Sequence, residues 1–191
     1  IHITMKKLLL LLAAGSLLYS CTPPASEKKV SESDSTATRL ERGKYLVTIG
    51  GCHDCHSPKI MTEQGPVPDP ALLLSGHPGN IPLPPSDTAT SKNWILFFPM
   101  GTAAKGPWGT SFAANLTPDV TGIGNWTEQQ FFNAMRKGWY KGMEGTRMLL
   151  PLMPWQGYAN LTDEDLQSIF AYLKSLPPIA NVVPAPVPPG Q

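Results

Sequence analysis

Charge is scarce in this chain, where Asp, Glu, Lys and Arg make up only 15% of 191 residues. No basic cluster stands out, so the electrostatic footprint of a nucleic-acid-binding protein is missing. Cysteine occurs three times, and only Cys52 and Cys55 lie close together. With no second cysteine pair, a four-ligand structural zinc site has few donors to draw on. No apolar run reaches the roughly 20 residues that a membrane-spanning helix needs. Internal repeats are absent too, and Cys-x-x-Cys-His occurs once. What is plentiful is proline (21) and glycine (17), a loop-rich globular composition below the level at which these residues argue disorder.

The N-terminal stretch reads as a targeting segment. From Met5, "MKKLLLLLAAGSLLYSC" has a basic start at Lys6 and Lys7, an apolar run to about Leu18, and small residues leading to Cys21. Residues 1–20 are expected to be a lipoprotein-type signal peptide, with Cys21 as the lipidated residue, because "LYSC" resembles a lipobox. An ordinary cleaved signal, with Cys21 incidental, is the alternative. Thr22 in place of Asp tilts the expected location toward the outer membrane over the inner one, facing the periplasm. Without Lys6 and Lys7, the 15 Lys and Arg fall to 13 against 14 Asp and Glu, near −1. Residues 21–38, polar and small, read as a flexible tether. Residues 39–178 read as one domain, and 179–191 as a Pro-rich extended tail.

Three helices are expected in the domain. "RLERGKYLVTIG" offers Leu40, Leu46 and Val47 as a buried side, weakened by Gly43. "TEQQFFNAMRKG" has Thr127 as N-cap, Gln130 completing a capping box, Phe131, Met135 and Trp139 at four-residue spacing, and Gly138 as a stop. "LTDEDLQSIFAYLKSLPP" is capped by Thr162, with Asp163, Glu164 and Asp165 at the positive end of the helix dipole. Leu166, Ile169, Phe170 and Leu173 follow at i, i+3, i+4 and i+7, and Pro177 ends the pattern. Ser57 to Ser111 has little periodicity and reads as a long Pro/Gly-rich loop with short helical pieces.

The motif "CHDCH" at 52–56 carries the chemistry. Cys-x-x-Cys-His is the signature of covalent haem c attachment. Two thiols on one helical turn reach the two vinyl groups on one porphyrin edge, and the next residue aims its imidazole at iron. Cys52 and Cys55 would form the thioethers and His56 the proximal ligand. A zinc site and a thioredoxin-like dithiol are the rivals. The first lacks ligands beyond His53 and His77, and the second lacks a βαβ setting. For the sixth iron position the candidates are Met153, bracketed by Pro151 and Pro154 in a stiff extended segment, then Met148, then His77. Met135 sits on an apolar helix face and reads as core, while Met61 and Met100 fall in the long loop.

"CHDCH", "LMPWQGY" and "LTDEDLQSIFAYLKSLPP" together resemble a class I c-type cytochrome. "SFAANLTPDVTGIGNWTEQQFFNAMRKG" is similar to the middle stretch in the cytochrome subunits of bacterial membrane-bound alcohol and aldehyde dehydrogenases. The likeness covers roughly 39–178 and implies an all-α fold of three to five helices around one covalent haem, with a long loop insertion. It matches Cys52, Cys55, His56 and Met153 to the haem-holding positions, and His56 and Met153 to the two iron ligands. Asn115, Pro118, Asp119, Gly122, Gly124 and Trp126 match the middle motif, expected to shape the haem-edge loop. This chain departs in having one such domain where those subunits usually have three, and Trp155 where many relatives have Tyr. Trp108, Trp126, Trp155, Phe131 and Phe170 are candidates to shield the haem. Arg136 would either meet a propionate or remain a solvated charge.

The expected role is an exported, membrane-tethered mono-haem electron carrier, not an enzyme. Its partners would be redox proteins: a dehydrogenase or quinol-linked donor and a terminal acceptor. The alternatives are a haem sensor or haem enzyme with an open sixth position, and a subunit locked into a dehydrogenase complex.

Overall fold

The computed structural model describes residues 32–190. The signal segment 1–20 and the lipidation candidate Cys21 lie outside the described residues.

Helix α1 spans Glu32–Ile49. It starts inside the segment read as a tether, so residues 32–38 are helical. Nothing in that stretch stops a helix, since neither Pro nor Gly occurs between Glu32 and Arg39. Residues 35–39 are all exposed, and burial begins only at Leu40 and beyond. Leu46 and Val47 are buried as the pattern predicts.

Gly43, which weakens the sequence pattern, is the residue that lets α1 cross the last helix, α5 (Asp163–Ser175). A Cβ at Gly43 would run into the Ser168 carbonyl and come within 2.7 Å of Tyr172 Cβ. The two backbones therefore touch at a point where any side chain would hold them apart. Thr162 caps α5 by accepting from the Asp165 N–H at 3.1 Å. Arg42 adds an ion pair across the crossing, with Nη2 2.9 Å from Asp165 Oδ1.

Helix α3 spans Glu128–Lys137 with the capping box that the sequence predicts. Thr127 Oγ1 accepts from Gln130 N–H and Gln130 Oε1 accepts from Thr127 N–H at 2.9 Å, while Gly138 closes the helix in the left-handed region at φ 67°. Phe131 stacks on Phe170 of α5, centroids 5.2 Å apart. Leu46, Val47, Leu74, Ile123, Phe131, Met135, Leu166, Ile169 and Leu173 form one buried cluster. Burying each of the large ones contributes roughly 1.5–3 kcal/mol before chain entropy is counted.

An all-α architecture is not what the rest of the chain adopts. The insertion between the motif and α3 contains two small antiparallel sheets. One pairs β1 (Lys59–Thr62) with β2 (Gly65–Pro68), Lys59 opposite Pro68 and Thr62 opposite Gly65. The other has the order β3 (Leu96–Phe97), β4 (Ala103–Gly106), β5 (Gly109–Phe112). Strands of two to four residues carry no readable period, and their pairing comes from turns such as Gly106–Gly109, which closes β4 on β5. A 3-10 turn at Thr90–Lys92 supplies the short helical piece expected there.

The Pro-rich tail is pinned at two points. Val187 exchanges backbone hydrogen bonds with Thr110 of β5 at 2.8 and 3.0 Å. Asn181 Nδ2 donates to the carbonyls of Ser75 and His77 at 2.7 and 2.9 Å. No helix among the described residues is long and apolar enough to cross a membrane.

Candidate functional site

A tight turn delivers the motif. Gly50 N–H donates to Leu46 O at 2.8 Å, ending α1, and Gly51 at φ 68° turns the chain into α2 (Cys52–His56). Only glycine takes that left-handed conformation without strain. Tyr158, in the short helix α4 (Trp155–Tyr158), donates its hydroxyl to Gly50 O at 2.5 Å. The turn before the cysteines is thus tied to the segment that carries Met153.

Both motif thiols are free and half-buried. Burial raises Cys52 to about 11, with the nearby Asp54 carboxylate acting in the same direction, and Cys55 is raised for the same leading reason. A dithiol that works by thiolate attack needs the opposite shift. Among the described residues the strands pair only antiparallel, without the βαβ setting of a thioredoxin-like site.

His56 Nδ1 lies 2.8 Å from Ala114 O. A carbonyl only accepts, so Nδ1 carries the proton and Nε2 is left for a ligand. Burial holds the imidazole below its ordinary pKa and therefore neutral, the form that binds a metal. Among the described residues no three His, Cys, Asp or Glu side chains converge to hold a metal ion. Two free thiols one helical turn apart, beside a neutral imidazole of fixed tautomer, do fit a covalently attached haem c.

Several supports were not legible in the sequence. Lys59 Nζ donates to the carbonyls of His53, Asp54 and Ser57 at 2.8, 3.0 and 2.5 Å, satisfying the open end of α2. Buried Ser57 Oγ accepts from Leu74 N–H at 2.9 Å, and Gly76 N–H donates to His56 O at 2.8 Å. The strand pair that turns Lys59 back over the motif has no local signal, which is why these roles escape a sequence reading.

Met153 is half-buried and packs against the apolar cluster, as Cys52 does. Its segment is tied to the insertion by Ser111 Oγ, which donates to Pro151 O at 2.5 Å. Met148 is 44% exposed and Met61 80% exposed, while Met135 is buried in the core. His77 is fully buried, and both ring nitrogens are engaged, Nδ1 with Thr102 Oγ1 at 2.9 Å and Nε2 with Ile81 O at 3.1 Å. It lies between Phe98 and Phe112 and has no nitrogen to offer iron.

The middle motif is a set of linked turns. Buried Asn115 Oδ1 accepts from Thr117 N–H and Oγ1–H at 2.9 and 2.8 Å, and its Nδ2 donates to Ile179 O at 2.8 Å. Asp119 Oδ1 accepts from Thr121 N–H at 2.8 Å and Oγ1–H at 2.6 Å, which holds its carboxyl below the usual range. Gly122 and Gly124 both donate to Asp119 O at 2.9 Å. The motif fastens the tail to the loop that presents Ala114 to His56. Trp126 packs on the core, while Trp108 and Trp155 are half-buried. Arg136 donates to Leu161 O at 3.0 Å, pairs with Asp163 at 2.5 Å, and lies over the Phe132 ring.

No protein-family model matches the chain. Among similar proteins, one of the subunits of the nicotinate dehydrogenase of Pseudomonas putida is 31% identical over 151 residues, covering 78% of this chain and 10% of that protein. The gluconate 2-dehydrogenase cytochrome c subunit of Pantoea cypripedii is 28% identical over 179 residues, 93% of this chain and 30% of that one. The fructose dehydrogenase cytochrome subunit of Gluconobacter japonicus is 31% identical over 135 residues, 70% and 20% respectively. The chain thus spans less than a third of the length of these relatives. They bear out the resemblance drawn from the middle motif.

Proposed function

We propose, from the chain's resemblance to the cytochrome c subunits of bacterial dehydrogenases, that it is a mono-haem electron-transfer protein. The observation that carries this reading is the arrangement of α2, two free thiols on one turn followed by an imidazole whose Nδ1 is committed to Ala114 O. Cys52 and Cys55 would hold the haem by thioethers, and His56 Nε2 and Met153 would be its two iron ligands. When bound, haem c supplies a one-electron Fe(III)/Fe(II) couple, and a methionine ligand raises its potential.

The chain's own residues then have distinct tasks. Ala114 O fixes the imidazole and raises its basicity. Lys59 and Ser57 lock α2 against the insertion. Tyr158 and Ser111 hold the Met153 segment at both ends. Phe131 and Phe170 keep water from the core behind it.

In this reading Cys21 carries a lipid that tethers the exported domain to a membrane, facing the periplasm, with the outer membrane favoured by Thr22. Electrons arrive from a dehydrogenase or quinol-linked donor and leave to a terminal acceptor. A second reading, in which the chain is held within a dehydrogenase complex, is favoured by the names of the relatives, each a component of a dehydrogenase. Co-purification without crosslinker separates the two. Visible spectra of the exported protein, oxidised and reduced, test the core of the proposal. A methionine-to-ferric-iron charge-transfer band is expected in the wild type and its loss in Met153→Ala. A band that survives in Met153→Ala moves the role to another residue, with Met148→Ala as the next variant, and tight carbon monoxide binding by the reduced wild type replaces the carrier with an open-site sensor or enzyme.

A further inference from the structure

A cation is bonded directly to the motif, and the fold holds it there. Lys59 opens β1, directly after the buried Pro58, and stands opposite Pro68 of β2. Asp69 N–H donates to Pro58 O at 2.8 Å and fixes the backbone at the same place. From this anchored start the side chain turns back, and Nζ donates to the carbonyls of His53, Asp54 and Ser57 at 2.8, 3.0 and 2.5 Å. Three donated bonds use all three protons of an ammonium, so the group is held in its charged form.

The surroundings leave that charge uncompensated. Among the described residues the ion pairs are Arg42 with Asp165 and Arg136 with Asp163, and Lys59 has no carboxylate within ion-pair reach. Asp54 belongs to α2 itself, but its carboxylate turns toward the start of the helix, where a Cβ at Gly51 would lie 2.9 Å from Oδ2. The loop before β4 also covers the carbonyl end, since a Cβ at Gly101 would come within 2.7 Å of Asp54 O. Helix α2 thus carries a negative group in its first turn and a positive one on its last carbonyls. Its five residues extend only about 7.5 Å at 1.5 Å per residue. A charge on its carbonyls is therefore within about one screening length of every residue in the motif.

We infer that Lys59 tunes the one-electron couple of this site: its pinned ammonium opposes the additional positive charge of Fe(III) and so favours Fe(II). The exchange is Fe(III) plus one electron giving Fe(II), with no bond made or broken and no proton moved. Lys59 touches no reacting atom and acts through its field, aided at lesser strength and with opposite sign by Asp54. The inference rests on the electron-carrier reading.

Spectroelectrochemical titration of the exported, haem-loaded full chain tests it, with each variant read at the wild-type midpoint. There the Fe(III)/Fe(II) ratio is one for the wild type by definition. In Lys59→Met it is expected to rise roughly three- to tenfold, the range a partly shielded unit charge gives at this separation. Lys59→Arg, which keeps the charge, should stay within about twofold of the wild type. Lys44→Gln removes an exposed charge from α1 and should move the ratio by less than about twofold. Asp54→Asn should shift it below one. An unmoved ratio in Lys59→Met overturns the inference. So does an arginine variant that moves as far as the methionine one, which would make the effect one of packing. A Lys44→Gln shift as large as that of Lys59→Met overturns it too, by reducing the effect to net charge. If Lys59→Met does not accumulate folded, Asp54→Asn decides, and a ratio that stays at one or rises counts against the inference. A wild type with no one-electron couple removes the carrier reading and this inference with it, whereas a couple indifferent to Lys59 removes the inference alone.

Discussion

Helices α3 and α5 meet through Phe131 and Phe170, whereas residues 57–112 contribute the single side chain of Leu74 to the same buried cluster and are otherwise held by polar bonds. Asn181 holds the Ser75 and His77 carbonyls, Ser57 holds Leu74, and Lys59 closes α2. The helical part is stabilised by burial that many residues share. The insertion depends on a few donors, each satisfying carbonyls or amides that would otherwise be orphaned. The first should therefore fail globally when cut, and the second locally.

The largest effect belongs to the helical part. Leu166→Ala, at a fully buried position of α5, should destabilise the protein by about 2–5 kcal/mol in denaturant unfolding, with every probe shifting together. In the insertion, Asn181→Ala leaves the Ser75 and His77 carbonyls and the Gly79 N–H without their partner. That should cost about 1–3 kcal/mol, and hydrogen exchange should quicken at 75–80 before it does in α5. Uniform acceleration across both parts would erase the contrast. Removing the cap with Thr127→Ala should cost about 1 kcal/mol and fray the start of α3.

The last effect sharpens the contrast by pH. His77 is buried between aromatic rings and titrates below its ordinary value because burial penalises the cation. Between that lowered value and about 6.5, the unfolded chain binds a proton that the folded chain refuses. Stability is then whole above about pH 6.5 and falls as the pH drops toward the native pKa. His77→Gln should flatten that slope, measured as the unfolding midpoint against pH.

The same contrast governs how much the sequence revealed. α3 and α5 announce themselves because caps and apolar spacing act within a few residues, and Thr127, Gln130 and Thr162 perform the roles their positions predict. Gly43 shows the limit: an interruption of the helical pattern is the contact that brings α1 onto α5, visible only once both helices are placed. The strands escaped because β3 has two residues and its register is set by β4, not by its own side chains. At the candidate site, the roles proposed for Cys52, Cys55 and His56 come from spacing alone. Those of Ala114, Ser111 and Tyr158 do not, since each acts through a hydrogen bond to a residue far along the chain, and that of Lys59 does not, since the β1–β2 pair is what turns it back over the motif.

The proposed electron-carrier role requires a haem bonded to the α2 thiols. Its most direct test is the intact mass of the exported polypeptide after denaturation and acid extraction. One covalently retained haem is predicted for the wild type and none for the Cys52→Ser, Cys55→Ser double variant. A wild-type polypeptide at its bare mass, with the colour left in the extract, would contradict it.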